Sequence, residues 1–174
     1  GICFVFGGQG SDVSDFERKC REVSWVNERW NEVLSEFRGA SGIGSTCKLF
    51  IFQVCISNLL GRLGIRCSAA LGHSFGEVAA AVESGSIGHN DAAMIVSERT
   101  ALLGGIGGMM AAVNLAPEEV DKFLSSTRKT LVSIACFNSP TLCVVSGQIG
   151  AVEQCLTEIT AAHPLVHIQR LQYA

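Results

Sequence analysis

Charged residues are scarce in this chain of 174: only 17% are Asp, Glu, Lys or Arg, against 48% apolar, which excludes a disordered polymer. The balance of 13 basic and 16 acidic side chains leaves a net charge of −3, too weak a field to draw nucleic acid or an anionic membrane surface. No apolar run approaches the ~20 residues of a membrane-spanning helix, and no secretory leader opens the chain. Internal repeats and low-complexity segments are lacking too. The eight cysteines include no C-x-x-C pair, which argues against zinc and a disulfide framework. They sit mostly inside apolar runs, so small buried thiols in a reducing compartment are expected. No metal, nucleic acid or membrane partner is expected, and the location implied is cytoplasmic.

What is present is a chain long enough to bury a sizeable core, as one domain or one domain with a small insert. Ile2 to Phe6 is a continuous apolar run ended by "GGQG", which reads as a buried strand entering a glycine-rich turn. From about Asp15 to Phe37, apolar residues recur at helical spacing, with a break expected near Ser24. Residues 38–45 read as a loop, 47–63 as a helix too apolar all round to lie on the surface, and 67–71 as a second buried strand. A helix from Phe75 to near Gly85 and another from His89 to Leu103 follow. "GGIGG" at 104–108 is the best internal boundary.

Beyond that boundary the pattern changes to strand 109–115, helix 117–126, strands 131–137 and 141–147, helix 151–162 and strand 165–171. This β-α-β-β-α-β order is that of a ferredoxin-like module. Pro117 suits the first turn of its helix.

The candidate chemistry sits in "ALGHSFGEVAAA", residues 70–81. Gly72-His73-Ser74-Phe75-Gly76 fits G-x-S-x-G between a strand and a helix, the setting of a nucleophile elbow. Glycines on both sides let strand and helix pack closely around a sharp turn that presents the Ser74 hydroxyl at a helix N-terminus. Backbone N–H groups there, with that of Phe75 as one donor, favour a developing oxyanion. His73 is adjacent, but neighbouring side chains on a tight turn diverge, so it is not expected to take the Ser74 proton. His89, His163 and His167 read as structural.

"FVFGGQGS" (4–11), "GHSFGE" (72–77), "SERT" (97–100), "GGMMAAV" (107–113) and "CFNSP" (136–140) occur in this order. Together they resemble the malonyl-CoA:acyl carrier protein transacylase family, above all the acyltransferase domains of polyketide and fatty acid synthases. The resemblance implies an α/β fold: an α/β-hydrolase-like large subdomain with an inserted ferredoxin-like small subdomain. Here these fall at residues 1–107, with the large subdomain incomplete, and 108–172, with 173–174 starting the return to the large subdomain.

The roles implied are residue by residue. Ser74 attacks an acyl-CoA thioester to form an acyl-enzyme, and the phosphopantetheine thiol of an acyl carrier protein then takes the acyl group. Gln9 and Phe75 supply the backbone donors of the oxyanion hole. Arg99, a planar fork suited to bidentate pairing, holds the free carboxylate of a malonyl-type group, and Gln53 in "LFIFQV" matches an active-site glutamine. No bound cofactor is implied; malonyl-CoA is the donor, the carrier protein brings its own phosphopantetheine, and neighbouring synthase domains such as a ketosynthase are further partners. Phe75 after the serine leans towards malonyl over methylmalonyl. Asp12 departs from the glutamine usual in "GQGSQ", which affects the entrance near Gln9.

The family's general base is a histidine following the last strand of the small subdomain. "RLQYA" matches the approach to it, so the histidine is expected just beyond Ala174, and the chain reads as a piece of a larger polypeptide with little turnover of its own. Two other readings stay open: a serine hydrolase or thioesterase of related fold, and a docking module that has kept the fold without the chemistry.

Overall fold

The computed structural model describes residues 1–8, 13–37, 44–104, 107–124 and 130–171. The chain divides into two compact units, Gly1–Leu102 and Leu103–Ala174; the division falls five residues before the 107/108 boundary of the sequence reading.

In the first unit, β1 (Ile2–Phe6) and β2 (Cys67–Gly72) form a parallel pair, with Phe4 opposite Ala70 and Phe6 opposite Gly72. Parallel strands need a long crossover, supplied here by α1 (Ser14–Arg21), α2 (Ser24–Ser35) and α3 (Ser45–Arg62). The expected break near Ser24 is real: Glu22 and Val23 separate α1 from α2. Helix α2 buries Val26, Trp30 and Val33, one face at i, i+4 and i+7.

Helix α3 is buried over most of its length, as its all-round apolar character predicts, and it carries three buried polar residues, Thr46, Gln53 and Ser57. Helices α4 (Gly76–Glu83) and α5 (His89–Leu103) complete the unit. Trp30, Phe50, Ile51, Phe75, Ala92 and Val96 meet in one core. Burying a Phe, Ile or Val side chain stabilises by about 1.5–3 kcal/mol, so this core dominates the stability of the unit.

The second unit contains β3 (Met109–Val113), α6 (Pro117–Asp121), β4 (Val132–Ser139), β5 (Leu142–Gly147), α7 (Ile149–Ala162) and β6 (Ile168–Leu171). The sheet order is β4-β5-β3-β6 with every neighbouring pair antiparallel, the arrangement of a ferredoxin-like sheet. Helix α7 lays Val152, Cys155, Leu156 and Ile159 against Ala111, Val113 and Val145.

Three sequence expectations change here. The helix expected over 117–126 ends at Asp121: the N–H groups of Lys122, Phe123 and Leu124 bond three residues back in a tighter winding that buries Leu124, and residues 125 and 126 lie outside the described residues. The strand expected from Leu165 begins at Ile168: Pro164 and Leu165 turn the chain, and Leu165 is wholly exposed. His167 therefore precedes the strand, and its carbonyl accepts the Asn114 N–H. The cysteines are also less uniform than expected. Cys47, Cys55, Cys143 and Cys155 are buried, Cys67 and Cys136 are half-buried, and Cys3 is exposed. Burial pushes the Cys47 and Cys143 thiols up, which keeps them protonated. Among the described residues no helix is long and apolar enough to cross a membrane.

Candidate active site

The site grows from the turn between β2 and α4. Ser74 has φ 53°, the only positive φ of a non-glycine residue among those described. An L-residue held there is strained by about 1–3 kcal/mol, and neighbouring structure must over-determine it. Three contacts do so. The His73 N–H donates to the Phe6 carbonyl at 2.9 Å, anchoring the turn to the end of β1. Gly76 lies so near β1 that a Cβ on it would stand 2.1 Å from the Phe6 oxygen, and a Cβ on Gly72 would stand 2.3 Å from the Glu77 Cα. Both glycines of the motif are thus required by close packing, as the sequence pattern predicts.

The N–H groups of Gly76, Glu77 and Val78 are taken by the carbonyls of His73, Ser74 and Phe75 at 3.0, 3.1 and 3.3 Å. This tight first turn leaves the Phe75 N–H without an acceptor among the described groups, beside the exposed Ser74. A donor so placed at a helix N-terminus suits an oxyanion.

A second backbone segment closes on the same point. Gly8, after β1, approaches until a Cβ on it would lie 3.3 Å from the Ser74 Cβ and 3.1 Å from the His73 Nδ1. The neighbouring Gly7 carbonyl accepts a 2.7 Å hydrogen bond from the Gln53 Nε2 of α3. Gln53 is only 5% exposed, and its Oε1 is buried with no partner among the described residues. A buried amide with one half satisfied is expensive unless something else completes it. Gln9, the other expected oxyanion donor, lies outside the described residues.

Arg99 reaches the elbow from α5. Its guanidinium stands over the Phe75 ring, 5.5 Å from the centroid, while the ring itself is fully buried. Among the described residues no carboxylate pairs with it. An unpaired guanidinium resting on an aromatic face keeps its hydrogen-bonding edge available.

Ser74 and Phe75 on the β2–α4 turn, Gln53 on α3 and Arg99 on α5 thus come from three elements or turns, with Arg99 over Phe75 and Gln53 on the backbone next to Gly8. Sequence reading missed Gly8 as a packing residue, although "GGQG" showed that a tight approach was intended. The histidines fall elsewhere. His89 accepts a hydrogen bond from Arg29, at 2.7 Å, and His163 meets Phe123 edge to face at 5.9 Å between ring centroids.

The acyl transferase domain family matches this chain over residues 44–174. The reducing polyketide synthase PKS1 of Cochliobolus heterostrophus is 40% identical over 107 residues, 59% of this chain and 4% of that protein. The chain is similar in structure to the acyltransferase domain from the second module of the salinomycin polyketide synthase. The TM-score there is 0.86 at 26% identity, covering 99% of this chain and 44% of that one. It is also similar to the acyl transferase domain of SpnD in complex with 2-(pent-4-yn-1-yl)malonyl, with TM-score 0.84 and 26% identity over 98% of this chain and 44% of that one. The chain thus spans less than half of these solved structures and a small fraction of the synthase.

Proposed function

Because the chain belongs to the acyl transferase domain family, we propose that Ser74 carries a malonyl-type acyl group from CoA to the phosphopantetheine thiol of an acyl carrier protein. The observation that carries this reading is the elbow. A strained serine stands at a helix N-terminus with a spare backbone donor on one side and a guanidinium over its neighbour on the other. The Ser74 oxygen adds to the thioester carbonyl as its proton passes to a base, for which the family resemblance implies a histidine after the small subdomain. The oxyanion is held by the Phe75 N–H and, as the family resemblance implies, by the Gln9 N–H. Collapse breaks the carbon–sulfur bond and releases CoA as the thiol, leaving an ester on Ser74. The carrier thiol then repeats these steps in reverse order, restoring the serine hydroxyl.

Arg99 supports a carboxylated acyl group over a neutral one, because an unpaired guanidinium beside the elbow matches a free carboxylate. The buried Phe75 ring fills the space beneath it and supports malonyl over its methylated homologue. Gln53 donates to the Gly7 carbonyl, which supports a role in holding the backbone beside Ser74. Val5 and Leu71, 70% and 60% exposed on the two-stranded sheet, support a longer polypeptide that covers this face, with an acyl carrier protein and a ketosynthase as partners.

Intact mass after brief exposure of the longer polypeptide to malonyl-CoA tests this reading. A malonyl adduct is expected, absent in Ser74→Ala. Arg99→Ala is expected to slow malonyl loading about tenfold to a hundredfold while sparing acetyl loading. A well-folded parent that takes no adduct refutes the acyl-enzyme. Equal loss for both acyl groups in Arg99→Ala refutes the carboxylate clamp, and no loss for either favours a hydrolase of neutral esters.

A further inference from the structure

A cavity of about 400 Å³ opens in the first unit, lined by residues of α2, α3, α4 and the start of α5, with Arg66 just before β2. Its volume lies within the range of small-molecule sites. None of Ser74, Phe75, Gln53 or Arg99 lines it.

Three guanidiniums share its wall: Arg29, Arg62 and Arg66. In a chain of net charge −3 this is a local excess of positive charge, and like charges are not brought together without a compensating gain. One carboxylate, Glu83, lines the same wall, and a second, Glu32, stands near. Glu83 accepts a hydrogen bond from the Ser57 hydroxyl, and Glu32 takes one branch of Arg29 at 3.0 Å. Arg62 rests on the Trp25 ring at 4.8 Å, and among the described residues neither it nor Arg66 has a carboxylate partner.

Arg29 is the most constrained of the three. Its side chain is 24% exposed, and its second branch donates to the His89 Nε2, which as the acceptor must be unprotonated. Its Nε is buried with no partner among the described residues, so a ligand must be met by the remaining N–H bonds of its two terminal nitrogens. Val54, Ala79 and Val82 add apolar surface to the same lining.

We propose that this cavity binds a phosphate monoester, with the phosphate on Arg29, Arg62 and Arg66 and the organic substituent against Val54 and Val82. Guanidinium forks pair with phosphate and carboxylate alike, but three forks around one space outnumber the two oxygens of a carboxylate and suit the three free oxygens of a monoester. The site is separate from the acyl-transfer centre and does not depend on that reading.

Equilibrium dialysis of the 174-residue chain against inorganic phosphate and against phenyl phosphate tests it. Both probes are expected to bind, with phenyl phosphate the tighter because it uses the apolar side. Preference for the inorganic ion identifies a free-phosphate site and overturns the monoester. Arg62→Gln and Arg66→Gln, at exposed positions, are each expected to weaken binding at least about tenfold, and Ser74→Ala to leave it unchanged. A measurement on the unsubstituted chain runs alongside: either probe should protect Arg62 and Arg66 from phenylglyoxal without protecting the exposed Arg18. No binding at millimolar concentration, binding unaltered in both arginine variants, or no selective protection overturns the proposal.

Discussion

Gly76→Ala probes the packing on which the elbow rests. The added Cβ would lie 2.1 Å from the Phe6 oxygen, 2.6 Å from the Phe6 carbon and 2.7 Å from the Gly7 oxygen. All three are backbone atoms of β1 and the turn after it, so no side chain can rotate away. Separations under 3.0 Å are essentially never seen for a real Cβ, so α4 and β1 must part by roughly 0.9 Å. Overpacking in a dense core costs about 1–3 kcal/mol, and a rigid backbone neighbour puts this case near 3 kcal/mol. For a unit of this size that is a fall of roughly 12 °C or more in Tm.

The same movement shifts Ser74 relative to Gly8 and the Phe75 N–H. A displacement of about 1 Å is expected to slow acylation about 100-fold. Urea denaturation gives the first quantity and the rate of serine loading the second. Gly61→Ala is the control. Gly61 lies in α3 with nothing within 4 Å of its Cβ position, so alanine is expected to raise stability by roughly 0.5 kcal/mol. A Gly76→Ala protein within about 0.5 kcal/mol of the parent and loading at the parental rate would falsify the close-packing account.

Acid should weaken the first unit through His89. Burial and, next, the Arg29 charge hold its imidazole below the ordinary value of 6.5, with Glu36 opposing. The unfolded chain therefore takes up this proton first. Stability is complete above pH 6.5 and falls as pH drops through the depressed folded value. Urea midpoints measured across that window should decline in the parent and flatten in His89→Gln; an unchanged slope sinks the assignment. Glu119 and Glu153, held low chiefly by hydrogen bonds from Lys122 and Arg170, contribute only in the lower carboxylate window. Gln53→Met should leave the Gly7 carbonyl unpaired, lowering stability by about 1–3 kcal/mol. It should also reduce the maximal loading rate more than the apparent affinity for acyl-CoA; loss of affinity alone would show a binding contact and no role in holding the turn.

Contiguous residues were enough to determine the elbow. Gly72, Ser74 and Gly76 fall within one strand–turn–helix passage, and such a turn is shaped by the bonds and sterics of its own few residues. The βαββαβ order was legible for the same reason, since strand and helix periods are local. Where local pattern misled, the folded backbone departed from it: the helix from Pro117 tightens into i→i−3 bonds after Asp121 as Leu124 enters the core, and Pro164 delays β6 to Ile168.

Other features were decided only by the folded chain, because they join residues remote in sequence. Gln53 reads in sequence as an oddity in an apolar helix; the fold sets it on the carbonyl of Gly7, 46 residues earlier. Arg99 is singled out in sequence only by the family resemblance, and it is the fold that lays it over Phe75. Arg29, Arg62 and Arg66 carry no motif at all and become a cavity wall only when α2 and α3 pack. Local sterics write the turn at Ser74 into twelve residues, whereas burial and charge placement, which depend on what lies across the core, cannot be read from any one stretch.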